Sequence, residues 1–363
     1  MDRDRGLADL GGRTDLAGLM ADHVVRLDGG LSTALEEHGH LLTDSLWTAR
    51  LLLEAPAEVT AAHAAFVAAG AEVLITASYQ VSEQGFMAAG LSAADASNAL
   101  RASVGAARAA GGALVAASVG PYGAILHDGS EYRGRYGLTV DELVAFHRPR
   151  LDVLLSARPD AIAVETIPDL DEAAALAELL GALPAGAPPA WIAFSCAADG
   201  RLHSGHDVAD AAALVAAVPG VVAVGVNCTR PADVAPALER IRSVTELPLV
   251  VYPNGGGSWD AEHNCWHDQE FAADDLVAEL LGYPRGRDVI TALFSWFLAG
   301  VPDRRETLRT VMNKIDEENP PMRSALDLLL DMGHERGLKE GVDLLRGLLL
   351  RQRDRSRCRG AHC

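Results

Sequence analysis

Seven short apolar runs frame this sequence: VVRLD (24–28), EVLITA (72–77), ALVAAS (113–118), AIAVE (161–165), WIAFS (191–195), VVAVGV (221–226) and LPLVVY (247–252). Alanine-rich stretches of helical pattern lie between them, such as PAEVTAAHAAFVAAG and DEAAALAELLGAL. Continuous apolar strands alternating with helices indicate a parallel sheet covered on both faces. Seven such units over about 250 residues point to an α/β (β/α)8 barrel of the TIM type with one unit not evident. A doubly wound open sheet is the alternative.

The ends of the runs favour the barrel. Polar residues follow each one: Asp28 with Gly29 and Gly30, Ser78 with Tyr79, and Gly120 with Tyr122. Glu165 with Thr166, Ser195 with Cys196, Asn227 with Cys228, and Tyr252 to Asn254 continue the series. In a barrel all C-terminal strand ends converge on one mouth, where chemistry occurs. An open sheet concentrates functional groups near one switch point instead.

Other features bound the function. A hydrophobic content of 49% over 363 residues is ample for a large core. The net charge of −19 argues against a nucleic-acid partner. No run of about 18 uncharged apolar residues occurs, so no membrane span is expected. The start, MDRDRGLADLGGRTDL, has no apolar stretch of the secretory kind. Five cysteines in so long a chain make no disulfide framework, so a reducing, cytoplasmic setting is expected. After about residue 283 the pattern changes to amphipathic helices, with Pro320 and Pro321 between two of them, and then a basic end. Three regions are therefore expected: an N-terminal extension (1–19), the barrel (20–283) and a helical extension with a basic tail (284–363). Six arginines and one aspartate in the last 18 residues read as a solvated tail, with a partner-binding or membrane-surface role as the alternative.

Eight segments occur in order: LDGGLSTALEEHG, DSLWTARLLLEAP, ITASYQVSEQGF, SVGPYGAILHDGSEYRGRYG, FHRPRLDVLL, ETIPDLDEAAAL, GVNCTRP and PLVVYPNGGGSWD. Together, over about residues 20 to 275, they resemble the homocysteine S-methyltransferase family, in particular the bacterial enzymes that use S-methylmethionine. The resemblance implies a (β/α)8 barrel and a zinc ion held by three cysteines. It implies methyl transfer from S-methylmethionine, or S-adenosylmethionine, to homocysteine, giving methionine. The chemistry is coherent. A thiol of pKa about 8.5 is mostly protonated at neutral pH. Zinc coordination leaves it a thiolate. Attack on a sulfonium methyl then needs a dry, aligned site rather than an acid or base.

Carried over residue by residue, Cys228 matches a zinc ligand, and Glu165 binds the amino group of homocysteine with Asp28 as second carboxylate. SVGPYGA, with Tyr122, wraps donor or acceptor. Asn227 and Tyr252 are further substrate-binding candidates. Each also has a bland reading: a buried cysteine is often a small hydrophobe, and the carboxylates could cap helices or satisfy core groups.

The sequence departs from the family pattern at one point. The resemblance implies that the other two zinc ligands are adjacent cysteines in a Gly-Gly-Cys-Cys motif ending the eighth strand. The corresponding region, near 285–300, reads RGRDVITALFSWFLAG and contains no cysteine. Residues 287–295 suit either a replacement strand or a helix, and we read them as helix. Three outcomes stay open: a barrel that has lost metal and activity, a site rebuilt from Cys196, His203, His206, His263, His267 or the tail cysteines Cys358 and Cys363, and a catalytically inactive amino-acid-binding or scaffold barrel. The oligomeric state is left open.

Overall fold

A computed structural model describes residues 15–22, 24–37, 40, 46 and 48–253, together with the strands Ser258–Asp260, Cys265–His267 and Val289–Thr291. The apolar runs become strands: β1 (Val73–Ile75), β2 (Leu114–Val119), β3 (Ala161–Ile167), β4 (Ala190–Phe194), β5 (Val221–Asn227) and β6 (Leu249–Tyr252). They pair in parallel in chain order, and a parallel bridge between Leu27 and Val73 adds the first run at the near edge. Two short strands, β7 (Ser258–Asp260) and β8 (Cys265–His267), pair with each other in an antiparallel hairpin.

The far edge corrects one expectation. Val289–Thr291 forms a strand, β9, parallel to β6, with Leu249 opposite Val289. At these three residues the strand alternative holds rather than the helix. Val, Ile and Thr are β-branched and suit a pleated ladder beside a waiting strand edge. The rest of 284–363 lies outside the described residues.

Alternation along each strand sorts side chains onto two faces. From β2, Val115, Ala117 and Val119 join the large core beneath the helices. Leu114 and Ala116 join an inner core with Leu27, Val73, Ala161, Ala163, Trp191, Ala193, Ala223 and Val250. Trp191 is fully buried there among alanines, so one large ring fills the space small neighbours leave. Leu16 and Leu19, from the helix Leu16–Asp22, enter the same cluster beside the first residues of β1 and β2.

The sheet is curled. Neighbouring strands lie about 4.8 Å apart, so three steps on a flat sheet span about 14 Å. Yet the Tyr252 hydroxyl at the end of β6 hydrogen-bonds Glu165 in β3. The parallel α/β fold thus wraps toward a TIM-type barrel. Gly225 permits the close approach of β5 and β6: a Cβ there would sit 1.8 Å from the carbonyl oxygen of Val250.

Candidate active site

Two carboxylates end neighbouring parts of the mouth. Asp28 follows the bridged residue Leu27 and is held by backbone: its amide donates to the Val73 carbonyl at 3.0 Å, and its Oδ2 accepts from the Ile75 amide at 2.9 Å. His63, fully buried, brings Nδ1 to 3.7 Å from the same Oδ2. Asp28 Oδ1 is buried and has no hydrogen-bond partner among the described residues. Burial raises its pKa despite the neighbouring histidine.

Glu165 occupies β3, where the sheet interior opens. Ser118 of β2 donates to its Oε1, and the Tyr252 hydroxyl donates to the same carboxylate. Trp191 Nε1 in turn donates to the Tyr252 hydroxyl at 3.3 Å. Burial, with a smaller contribution from the charge of Asp28, pushes Glu165 up to about 7. A carboxylate in this state is ready to gain a cation and regain its charge.

The thiol lies near enough to Glu165 for that charge to act on it. Cys228, half-buried just past β5, has φ 46°, and Thr166 at the end of β3 has φ 63°. Both are in the left-handed region, uncommon for residues with a Cβ, and Thr166 is β-branched besides. Asn227 joins the two strands. Its Oδ1 accepts from the Thr166 amide at 2.7 Å, and its Nδ2 donates to Thr166 Oγ1 at 2.8 Å. Thr166 Oγ1 lies 3.6 Å and Asn227 Nδ2 3.5 Å from the Cys228 sulfur, and the Tyr132 hydroxyl hydrogen-bonds it too. Burial pushes the thiol up to about 11, so it is protonated at neutral pH.

Two residues at the mouth, Glu131 and Tyr132, were not singled out in the sequence, and Tyr79, noted there only as a polar residue after its strand, joins them. Tyr79 is buried and hydrogen-bonded to Thr166. Glu131 and Tyr132 belong to a short turn, Ser130–Tyr132, in the long connection after β2. That connection is pinned from behind. Asp169 accepts from the Arg135 amide. Glu172 accepts from the Tyr122 amide at 2.6 Å, the Tyr136 hydroxyl at 3.1 Å and His147 Nε2 at 2.8 Å. Arg150, buried in the helix Val140–Ser156, donates to the carbonyls of Gly120 at 2.9 Å and Tyr79 at 2.7 Å. The available signal was the quoted motifs: SVGPYGAILHDGSEYRGRYG and FHRPRLDVLL contain most of these residues, ITASYQVSEQGF contains Tyr79, and ETIPDLDEAAAL contains Thr166, Asp169 and Glu172.

Of the sequence candidates, Asp28, Glu165, Asn227, Cys228 and Tyr252 come together at one mouth. Tyr122 is placed differently: its ring packs against Tyr136 at 5.3 Å and Phe146 at 5.0 Å between centroids.

The family profile described as Homocysteine S-methyltransferase matches residues 25–282. The chain belongs to this family. Homocysteine S-methyltransferase of Escherichia coli (strain K12) is 44% identical over 255 residues, which span 67% of this chain and 82% of that protein. Homocysteine S-methyltransferase YbgG of Bacillus subtilis (strain 168) is 40% identical over 258 residues, or 67% of this chain and 81% of its own. The crystal structure of the E. coli homocysteine methyltransferase MmuM in its metallated form aligns with a TM-score of 0.67 at 38% identity, covering 81% of this chain and 99% of that one.

Family membership raises the question of a metal, since one relative has a metallated form. Among the described residues no group of three His, Cys, Asp or Glu side chains is gathered to hold one. The polar atoms on the Cys228 sulfur are hydroxyls and an amide that donate to it. A catalytic zinc normally takes three protein ligands and keeps one open position. The described donor set does not fit that requirement. The described alternatives do not complete it: Cys196 is buried with its amide on Thr229, His203 packs edge-on against Tyr132, and His206 bonds Ser204 at 3.0 Å. His263, Cys358, Cys363 and the side chains of Cys265 and His267 lie outside the described residues. No described single helix is long and apolar enough to cross a membrane.

Proposed function

We propose that this mouth binds homocysteine through its ammonium group, and that the chain's reaction is methyl transfer from a sulfonium donor such as S-methylmethionine to the homocysteine sulfur. The observation that carries the proposal is the buried pair Asp28 and Glu165, one with an unpartnered oxygen, on the same mouth as Cys228. A buried anion is costly without a partner. An ammonium between the two carboxylates supplies it and draws Glu165 back to its ionised form. Ser118 and Tyr252 hold the Glu165 carboxylate in one orientation, and Asn227 locks the strand ends on which it and Cys228 sit.

In the transfer, a bond forms between the homocysteine sulfur and the methyl carbon as the donor S–CH3 bond breaks. The electron pair stays on the donor sulfur, which becomes a neutral thioether. Alignment and exclusion of water supply much of such a rate enhancement. The homocysteine thiol proton must also leave, and we assign that step to no described residue. On this reading residues from about 20 onward form the homocysteine-binding barrel, with Val289–Thr291 in its eighth position, as a cytoplasmic enzyme.

A second reading is favoured by the satisfied state of the Cys228 sulfur: a barrel that keeps the amino-acid pocket without turnover. Calorimetry tests the shared part. Glu165→Ala weakens homocysteine binding at least about tenfold, because one buried charge loses its partner; equal affinity for both proteins rejects the pocket. Zinc analysis with a homocysteine and S-methylmethionine assay then separates the readings. Well under one zinc per chain and no turnover favours the second. One tightly bound zinc, lost in Cys228→Ala, means that residues beyond those described complete a site.

A further inference from the structure

We infer that Glu131 selects a positively charged sulfonium donor over the corresponding neutral thioether. The inference rests on the methyl-transfer reading above and deepens it by naming what holds the donor.

Glu131 sits on the turn Ser130–Tyr132, one residue before the tyrosine that hydrogen-bonds the Cys228 sulfur. Its charge acts on Cys228, Tyr79 and Tyr132, so the carboxylate lies near the thiol. Its Oε2 is buried and has no hydrogen-bond partner among the described residues. The nearby cation, Arg133, reaches Glu131 only through its charge, which the charge of Asp128 opposes: its guanidinium lies 2.7 Å from Asp128 and its side chain is 61% exposed. Asp28 and Glu165 are held separately, Asp28 by the Ile75 amide and Glu165 by Ser118 and Tyr252, although the charge of Glu165 also reaches Cys228. Glu131 is thus an anion at the reaction centre that homocysteine binding leaves unused.

The turn holds it rigidly. The Tyr132 amide donates to the Gly129 carbonyl at 3.0 Å, and the Gly134 amide to Ser130 at 2.9 Å. Ser195 Oγ reaches the Glu131 carbonyl at 3.4 Å, and Gly123 packs so closely that a Cβ would meet the Glu131 nitrogen at 2.5 Å. A fixed, partly desolvated carboxylate discriminates well between a cation and an uncharged isostere, because little reorganisation offsets the attraction. Burial raises the Glu131 pKa, and a bound cation opposes that shift.

The reaction discharges this attraction. The donor sulfur is positive before transfer and neutral after it, so an anion beside it favours the bound donor over the transition state and the product. Glu131 therefore strengthens donor binding and favours release of the neutral product, at some cost to the chemical step itself.

The test is calorimetry on the full chain with S-methyl-L-methionine and with L-methionine, which lacks the sulfonium charge. Wild type prefers the sulfonium by about tenfold or more, the size of one charge-assisted contact. Glu131→Gln loses most of that preference, Glu131→Asp keeps part of it, and L-homocysteine binds both variants as it binds wild type. If wild type shows no preference, or if Glu131→Gln keeps it, the inference is wrong. Failure of wild type to bind homocysteine would instead strike the amino-acid pocket, while the sulfonium preference is still read from the same titrations.

Discussion

Asp28 and Glu165 on one side of the mouth leave a buried carboxylate oxygen without a partner, whereas the Cys228 sulfur on the other side is surrounded by donors from Thr166, Asn227 and Tyr132. The carboxylate side is built incomplete and waits for a cation. The Cys228 sulfur, by contrast, has its contacts filled among the described residues, and the open demand near it is the unpartnered Glu131 oxygen. The contrast teaches that amino-acid recognition and sulfur chemistry make different demands within one connected site: a carboxylate left open for a cation, and a sulfur already surrounded by donors. The two sides share Thr166, Asn227 and Tyr252, which link β3, β5 and β6.

The largest expected effect removes the link between the sides. Gly225→Ala drives a methyl into the Val250 carbonyl and forces β5 from β6, destabilising the protein by about 3 kcal/mol or more. Denaturant unfolding reads this directly; a loss under about 1 kcal/mol would mean that the strands part easily and the two sides are not rigidly coupled.

Much of this architecture was legible beforehand. All seven apolar runs contain residues of the parallel sheet, because continuous burial leaves an unbroken hydrophobic signature. Asp28, Glu165 and Cys228 stood out because a polar group ending such a run needs a reason. Glu131 and Tyr132 did not, since only long-range anchors on Asp169, Glu172 and Arg150 fold their loop over the mouth. The strand at Val289–Thr291 was ambiguous for a related reason: its residues suit helix or strand, and the edge of β6 decides. Tyr122 was singled out by its motif, yet it is the neighbouring backbone amide and ring packing that the motif fixes.

A second prediction sharpens the carboxylate side. The folded-state pKa of Glu165, about 7, lies above its ordinary 4.5. Between those values the folded chain holds a proton that the unfolded chain has released, so stability falls as pH rises from 4.5 to 7. Glu165→Gln flattens this slope in that window. A slope of the same steepness in the variant would show that the carboxylate is not desolvated as described. Homocysteine reverses the trend, since binding favours the ionised form, and its affinity rises with pH up to about 7.

On the thiol side, a Cys228 thiol near pKa 11 alkylates slowly at neutral pH, with a rate climbing about tenfold per pH unit from 7 to 9. Peptide mapping after iodoacetamide treatment isolates Cys228 from the other cysteines. A plateau by pH 8 would reveal a thiolate stabilised by a metal or a cation and would erase the contrast between the sides. The smallest effect is expected for Thr166→Val, which removes one donor to the sulfur at a cost of about 1 kcal/mol and slows Cys228 alkylation further.

The most direct measurement compares L-homocysteine with 4-sulfanylbutanoic acid, which keeps the thiol and carboxylate but lacks the ammonium group. If Asp28 and Glu165 recognise the ammonium, wild type binds the des-amino compound at least about tenfold more weakly, and Glu165→Ala narrows that gap. Equal affinity of wild type for the two compounds would contradict the account, because the buried carboxylates would then be doing something other than holding an amino acid.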